Sequence, residues 1–178
     1  PLPNHAEKRG FAERKLYLPQ KHTDNERVKK YLLGRGIAGE IIEYCIAQKL
    51  LYEESRYHNA VFIGYDGENP KYAAIRGTNT KRRFLAEAGG SNKAFCFCLC
   101  KGKDKLNVFE SAIDAMSYAS MVLEGGEDWT QQTHLSLGGV YKNNQNRLPI
   151  ALEKYLSGHG EPQEIILRLD RDEVGRNA

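Results

Sequence analysis

Long apolar segments are absent from this sequence of 178 residues. No stretch approaches the roughly 20 apolar residues that a membrane-spanning helix needs, and no signal-peptide pattern opens the chain. The sequence therefore gives no indication of a membrane partner or of secretion, and we expect a cytoplasmic location.

Cysteine is scarce, and its spacing is wrong for a zinc finger. The four cysteines include no CxxC pair, and close histidine partners are missing. Cys96, Cys98 and Cys100 alternate along an apolar run, which in a strand puts all three on one face, too close along one chain for easy disulfides. We therefore expect buried free thiols, as is usual in a reducing cytoplasm.

The net charge is also small, at +3. This sum combines two parts of the chain that carry net charge of opposite sign. Residues 1–105 carry 20 Lys or Arg and 12 Asp or Glu, whereas residues 106–178 carry 6 and 11. Such asymmetry is typical of a polyanion-binding part joined to something else, although a chance distribution of solvated charge would look the same.

The amino-terminal part is predicted to be mixed α+β. Residues 1–23 form an extended polar lead-in, and residues 24–105 form a basic subdomain whose hydrophobic period changes from helical to strand-like. The predicted elements are a helix from Asp24, a helix over 38–48, strands over 60–64 and 72–76 joined by an Asp66-Gly67 turn, a loop-rich stretch over 77–93, and a strand over 94–100.

The carboxyl-terminal part, residues 106–178, has a different rhythm in which strands and helices alternate. This alternation predicts βαβ units and a parallel sheet, so the chain as a whole belongs to the α/β class. The predicted elements are strands over 106–110, 133–137 and 164–170, helices over 112–124 and 148–156, and a further helix from Glu173.

Acidic residues follow two of these strands. Glu110 ends one strand, and Asp170 and Asp172 end another and project from the same side. Because ligands of parallel sheets bind beyond the carboxyl ends of the strands, these carboxylates are candidates for holding Mg²⁺ or Mn²⁺. The competing interpretation is a solvated loop, and Asp114 with Ser111 fits a helix capping box.

These residues carry a family resemblance. Residues 108–117 (VFESAIDAMS) and 165–175 (IILRLDRDEVG) resemble the two acidic motifs of Toprim domains, and residues 136–139 (SLGG) lie where such domains often have a strand that ends in glycine. The resemblance implies a Toprim fold over residues 106–178. It assigns catalysis and metal binding to Glu110, Asp170 and Asp172, with support from Asp114, Gly138, Gly139 and Gly175.

The amino-terminal part resembles the domain that precedes Toprim in primase-like proteins of bacterial plasmids and conjugative elements. The resemblance rests on residues 31–37, 57–64, 76–78 and 90–93. Independently of it, basic residues in and around the loop-rich stretch are candidates for binding nucleic acid or nucleotide, with Tyr57, Tyr72 and Phe84 as candidates for base stacking. The basic residues are Arg76, Lys81, Arg82, Arg83 and Lys93. An ordinary solvated loop with core aromatics is the alternative.

The resemblance implies a DNA primase-related nucleotidyltransferase that acts in replication or transfer of a mobile element. Its implied partners are a single-stranded DNA template, nucleoside triphosphates, and the helicase or relaxase of the element. Nuclease or topoisomerase-like strand cleavage, and a non-catalytic nucleic-acid-binding module, remain open. Because Toprim domains normally continue beyond the DxD motif, we interpret the chain as a fragment with a truncated Toprim domain, and we expect full activity only of the intact protein.

Overall fold

The computed structural model describes residues 15–139 and 148–170. Two helices come first, α1 (Glu26–Leu33) and α2 (Gly39–Ala47), where the sequence predicts them. Val28 and Leu32 of α1 are fully buried, which follows from their helical spacing.

An antiparallel sheet follows the helices, with its strands in sequence order. It contains the two predicted strands and two strands of three residues that the sequence analysis does not predict. The strands are β1 (Leu51–Glu53), β2 (Ala60–Asp66), β3 (Asn69–Arg76) and β4 (Leu85–Glu87). The turn between β2 and β3 has Gly67 at a φ of 58°, which suits glycine.

A second sheet is parallel at its centre. Its strands are β5 (Cys98–Leu99), β6 (Lys105–Phe109), β7 (Thr133–Ser136) and β8 (Glu164–Arg168), in the order β5-β7-β6-β8. β6 pairs in parallel with both β7 and β8, whereas β5 is antiparallel to β7. Helices α3 (Ala112–Glu124) and α4 (Ile150–His159) connect the parallel strands. The predicted α/β class is confirmed, with a mixed α+β part followed by a parallel α/β part.

Details differ from the prediction at two places. Residues 94–100 do not form one strand, because the chain makes a 3-10 turn over Lys93–Phe95 before the short β5. The helix predicted over 148–156 begins at Ile150, and Leu148, which lies before it, is 53% exposed. The helix predicted from Glu173 lies outside the described residues.

The hydrophobic core is shared by both parts of the chain. Its largest cluster joins α1 and α2 to Phe97, Phe109 and the buried face of α3. A smaller cluster places Tyr72 of β3 against Leu106, Val108 and Leu135 of the second sheet. The division into domains at residue 105 stays a prediction, and packing crosses that point.

The cysteines differ from expectation. Cys45 and Cys96 are free and buried, as predicted, but Cys98 and Cys100 form a disulfide. The prediction of free thiols was wrong for this pair, because it treated cysteines two residues apart in one strand as too close along the chain for a disulfide. The chain leaves β5 after Leu99, and the two Cα atoms are 5.3 Å apart, which a disulfide can bridge.

None of the helices in the described ranges has the length and apolar character needed to cross a bilayer.

Candidate active site

Glu110 stands where three parallel strands end. It follows β6, and its side-chain Oε1 accepts a hydrogen bond from the backbone N–H of Asp170, two residues beyond β8, at 3.1 Å. The Glu110 carbonyl accepts from the backbone N–H of Gly139, beyond β7, at 2.8 Å. The structure therefore brings Glu110, Asp170 and Gly139 together at the carboxyl edge of the sheet. Asp172 and Gly175 lie outside the described residues.

Asp114 has a structural task at this edge. Ser111 is the N-cap of α3, and the two residues form the predicted capping box. Asp114 accepts hydrogen bonds from the Ser111 hydroxyl at 2.6 Å and from the Ser111 backbone N–H at 3.2 Å. These bonds fix the start of α3 immediately after Glu110.

The loop after β7 requires glycine. Gly138 has a φ of 70° and Gly139 a φ of 117°, both in the left-handed region. A Cβ atom at Gly138 would lie 2.6 Å from the Tyr72 hydroxyl and 2.8 Å from the Cys96 sulfur. Glycine here lets the amino-terminal part approach the strand ends closely.

Lys93 is the predicted basic residue that reaches this loop. Its Nζ donates to the Gly138 carbonyl at 3.1 Å and pairs with Glu87 of β4 at 2.9 Å. Glu87, which the sequence analysis missed, also accepts a hydrogen bond from the Tyr72 hydroxyl at 3.1 Å. An exposed ammonium group therefore lies beside the acidic strand ends.

The other predicted basic residues lie further along the first sheet. Arg76 ends β3 and donates from Nε to the Tyr31 hydroxyl at 3.4 Å. Between β3 and β4, the chain exposes three consecutive basic side chains, Lys81, Arg82 and Arg83. Phe84 is 46% exposed and Tyr57 is 61% exposed, so both can contact a ligand. Tyr72 is 1% exposed, so of the two interpretations of this residue the core aromatic is the correct one, and it cannot stack on a base.

Potential nucleophiles beside the site are poorly suited to attack. Burial raises the pKa of the Cys96 thiol to about 12, and it raises the pKa of the Tyr72 hydroxyl well above its ordinary value. Both groups therefore stay protonated near neutral pH, and neither resembles an activated nucleophile.

Arg168 holds the strand that carries Asp170. It donates from Nε to the Asn107 side chain at 2.8 Å and from Nη2 to the Tyr118 hydroxyl at 2.7 Å. Its guanidinium also lies 3.8 Å from the centre of the Tyr118 ring. These contacts tie β8 to β6 and α3. The signal in the sequence was an arginine between two leucines, Leu167 and Leu169, in the strand predicted over 164–170.

His134, on β7, is fully buried beside this cluster. Its Nε2 lies 3.2 Å from the Trp129 carbonyl and therefore carries the proton, while Nδ1 has no hydrogen-bond partner within residues 15–139 and 148–170. Burial and, to a smaller extent, the charge of Arg168 lower the pKa of His134 to about 4, although the hydrogen bond to Trp129 raises it. The histidine is neutral in the folded protein.

We expect this histidine to make the fold sensitive to acid. The ordinary pKa of 6.5 applies to the unfolded chain, which therefore binds the proton more readily than the folded protein does. Its contribution to stability is fully present above pH 6.5 and is lost as the pH falls toward 4. At pH 5 the loss should be about 2 kcal/mol relative to pH 7.5.

Urea denaturation at the two pH values measures this loss. His134→Gln, which keeps a donor for the Trp129 carbonyl, should reduce the difference between the two pH values. Equal pH dependence in the native chain and in His134→Gln would contradict the assignment.

Comparison with known proteins agrees with this geometry. Residues 107–178 match the family model described as "Toprim-like", and they include all three strand ends of the site. The chain carries a Toprim-like domain. Residues 30–104 match the family model described as "Protein of unknown function (DUF3991)", so the predicted order of an associated domain followed by Toprim is confirmed. No curated protein matches the chain significantly.

Two solved structures share the fold of the Toprim-like domain and the part before it. One is the primase fragment of the bacteriophage T7 primase-helicase protein, at 20% identity and a TM-score of 0.55 over 81% of this chain. The other is the T7 lagging-strand DNA polymerase interacting with primase domains bound to an RNA/DNA hybrid and dTTP, at 22% identity and a TM-score of 0.52 over 81% of this chain. The chain spans 55% of the first matched chain and 67% of the second.

Proposed function

We propose that this chain contains the catalytic part of a primase-related nucleotidyltransferase that depends on Mg²⁺ or Mn²⁺. The observation that carries the proposal is the meeting of Glu110 and Asp170 at the carboxyl edge of parallel strands, with Lys93 reaching the same edge. The likeness in fold to the T7 primase fragment supports the reaction class.

The donor atoms at this edge suit a hard divalent cation. Glu110 and Asp170 offer carboxylate oxygens, and Asp172, beyond the described residues, is proposed as the third carboxylate. When bound, the cation would supply electrostatic stabilisation for charge that develops on a triphosphate. Glu110 and Asp170 would hold it, and the hydrogen bond from the Asp170 N–H keeps the Glu110 carboxylate close to Asp170.

Basic residues of the amino-terminal part bind the substrates in this proposal. Lys93 neutralises phosphate beside the acids, and the exposed cluster Lys81, Arg82 and Arg83 follows the backbone of a single-stranded DNA template. Phe84 lies next to that cluster and stacks on a base. The RNA/DNA hybrid and dTTP bound in the T7 complex support nucleic acid and nucleoside triphosphate as ligands.

The cellular setting is part of the proposal. The resemblance to primase-like proteins of bacterial plasmids and conjugative elements supports a role in replication or transfer of such an element. A helicase or relaxase of the element is the proposed protein partner, and the site of action is the cytoplasm.

Incubation of the protein with single-stranded DNA, ribonucleoside triphosphates and Mn²⁺ or Mg²⁺ tests the proposal. We expect short template-complementary products that disappear with EDTA, resolved on a sequencing gel. Shortening of the DNA instead would indicate a strand-cleaving enzyme. DNA binding that falls steeply with salt, with neither synthesis nor cleavage and no response to the metal, would indicate a binding module.

A further inference from the structure

A second group of metal-ligating side chains lies in the amino-terminal part. Glu53, the last residue of β1, is 1% exposed, and two imidazoles face its Oε1. His58 Nδ1 lies 2.6 Å from that oxygen, and His22 Nδ1 lies 3.9 Å from it. One ligand atom from each of the three residues falls within 4.8 Å of the others. The cluster joins the lead-in, β1 and the turn before β2.

The fold orients the Glu53 carboxylate toward the histidines. Its other oxygen, Oε2, accepts the backbone N–H groups of Arg27 and Val28, both at 3.0 Å, at the start of α1. The side chain is therefore fixed in one orientation with Oε1 facing the two rings. A buried carboxylate with a fixed direction is a preorganised ligand.

His58 is held in an uncommon backbone conformation. Its φ is 56°, in the left-handed region that residues other than glycine seldom adopt and that costs of order 1 kcal/mol or more. Two hydrogen bonds maintain it: the His58 N–H donates to the Glu54 carbonyl at 3.0 Å, and the Thr78 hydroxyl donates to the His58 carbonyl at 2.9 Å. In this conformation, which the two hydrogen bonds hold, the His58 ring lies against Glu53.

The charges of the cluster favour a cation. Asp24 adds a second carboxylate at the rim, 3.4 Å from His22 Nδ1. Glu53 and Asp24 therefore place two carboxylates beside the imidazole nitrogens, an arrangement that suits a divalent cation.

We propose that His22, Glu53 and His58 bind a divalent transition-metal ion of the zinc type, separately from the carboxylate site at the strand ends. Two nitrogens and one oxygen match the ligands of Zn²⁺, whereas Mg²⁺ prefers oxygen alone. A tetrahedral Zn²⁺ ion places its ligands about 3.3 Å apart, between the short and long separations of the cluster.

The ion clamps the lead-in to the fold. The lead-in already runs beside β1, since His22 N–H donates to the Glu53 carbonyl at 2.8 Å. The His22 and His58 side chains are 27% and 35% exposed, so solvent can reach the ion and supply its remaining ligand. A metal ion bound by both His22 and the buried Glu53 adds a crosslink between this segment and β1.

Calorimetric titration of the full chain with Zn²⁺, in the presence of Mg²⁺ to occupy the strand-end carboxylates, tests the proposal. We expect one tight equivalent, together with a visible absorption band when Co²⁺ is the probe. His22→Asn keeps an acceptor for the Asp24 N–H, and His58→Asn suits the left-handed backbone. Each should weaken Zn²⁺ binding by more than about tenfold.

His159→Asn is the matched control, because it removes an exposed histidine from α4 and should leave the affinity unchanged. Circular dichroism establishes that each variant is folded, and His22→Asn alters only a partly exposed side chain of the lead-in. Zn²⁺ affinity that is equal in the native chain and in His22→Asn, or no binding of Zn²⁺ by the folded native chain, overturns the proposal.

Discussion

Replacement of Asp170 with asparagine is expected to lower the rate of metal-dependent nucleotide transfer by about 10²–10³-fold. The estimate follows because a catalytic divalent ion supplies several kcal/mol of transition-state stabilisation, and each 1.4 kcal/mol is a factor of ten. Asp170→Asn keeps the backbone N–H that Glu110 accepts, so the strand ends stay in place while the charge is lost. Glu110→Gln should act similarly, since the amide oxygen can still accept that bond.

The matched control is Glu164→Gln. Glu164 begins the same strand, β8, at the opposite edge of the sheet, where its exposed carboxylate pairs with Lys105. Steady-state rates of product formation at saturating Mg²⁺ measure the effect. If Asp170→Asn were as active as Glu164→Gln, the Asp170 carboxylate would not be part of the catalytic site.

Alanine in place of Gly64 is expected to destabilise the protein by about 3 kcal/mol or more. Gly64 is buried on β2, and the backbone of the 3-10 turn after Asn92 lies directly against it. A Cβ atom would overlap the Phe95 carbonyl oxygen and lie 2.8 Å from the Cys96 carbonyl carbon. Backbone cannot move aside as a flexible side chain can, so the first sheet would separate from the segment that leads to the second.

Gly158→Ala is the control for this change, with an effect of opposite sign. Gly158 lies exposed in α4, and nothing approaches the position of its Cβ within 4 Å. Alanine there should stabilise the protein by about 0.5–1 kcal/mol through helix propensity. Urea denaturation gives both free energies of unfolding. A Gly64→Ala protein as stable as the native chain would contradict the close contact.

Much of the second sheet could be predicted from the sequence. Helix α3 has the predicted bounds, and β6, β7 and β8 lie within two residues of theirs, because each combines a clear hydrophobic period with a turn or cap at its end. Parallel pairing followed from the alternation of strand and helix. The carboxyl ends of β6 and β8 then had to share an edge, which made the meeting of Glu110 and Asp170 predictable.

Elements defined by distant partners were harder to predict. Strands β1 and β4 have three residues each, too few for a hydrophobic period to be visible. β5 exists because Cys98 and Leu99 pair with Leu135 and His134 of β7, far along the chain. The disulfide between Cys98 and Cys100 depends on the turn that follows this pairing.

The histidine cluster was beyond the reach of sequence patterns. His22 and His58 are separated from Glu53 by 31 and 5 residues, a spacing that matches no metal motif. Glu53 and Glu54 are neighbours in the sequence and both are buried, yet only Glu53 faces the imidazoles. The Glu54 carboxylate instead accepts hydrogen bonds from the Asn59 side chain and from the Arg56 backbone N–H. Which of the two glutamates faces the histidines depends on the pleat of β1 and on the position of α1.

The pairing of β5 with β7 has a consequence for how the chain can be divided. Strand β5 belongs to the amino-terminal part, both by charge and by family match. It pairs with β7 and so covers the outer side of the sheet that carries the Toprim-like motifs. A piece excised at residue 106 would leave β7 with an unpaired row of backbone groups, which invites aggregation. The Toprim-like part therefore depends on the basic part to cover β7, and the two are best regarded as one cooperative unit.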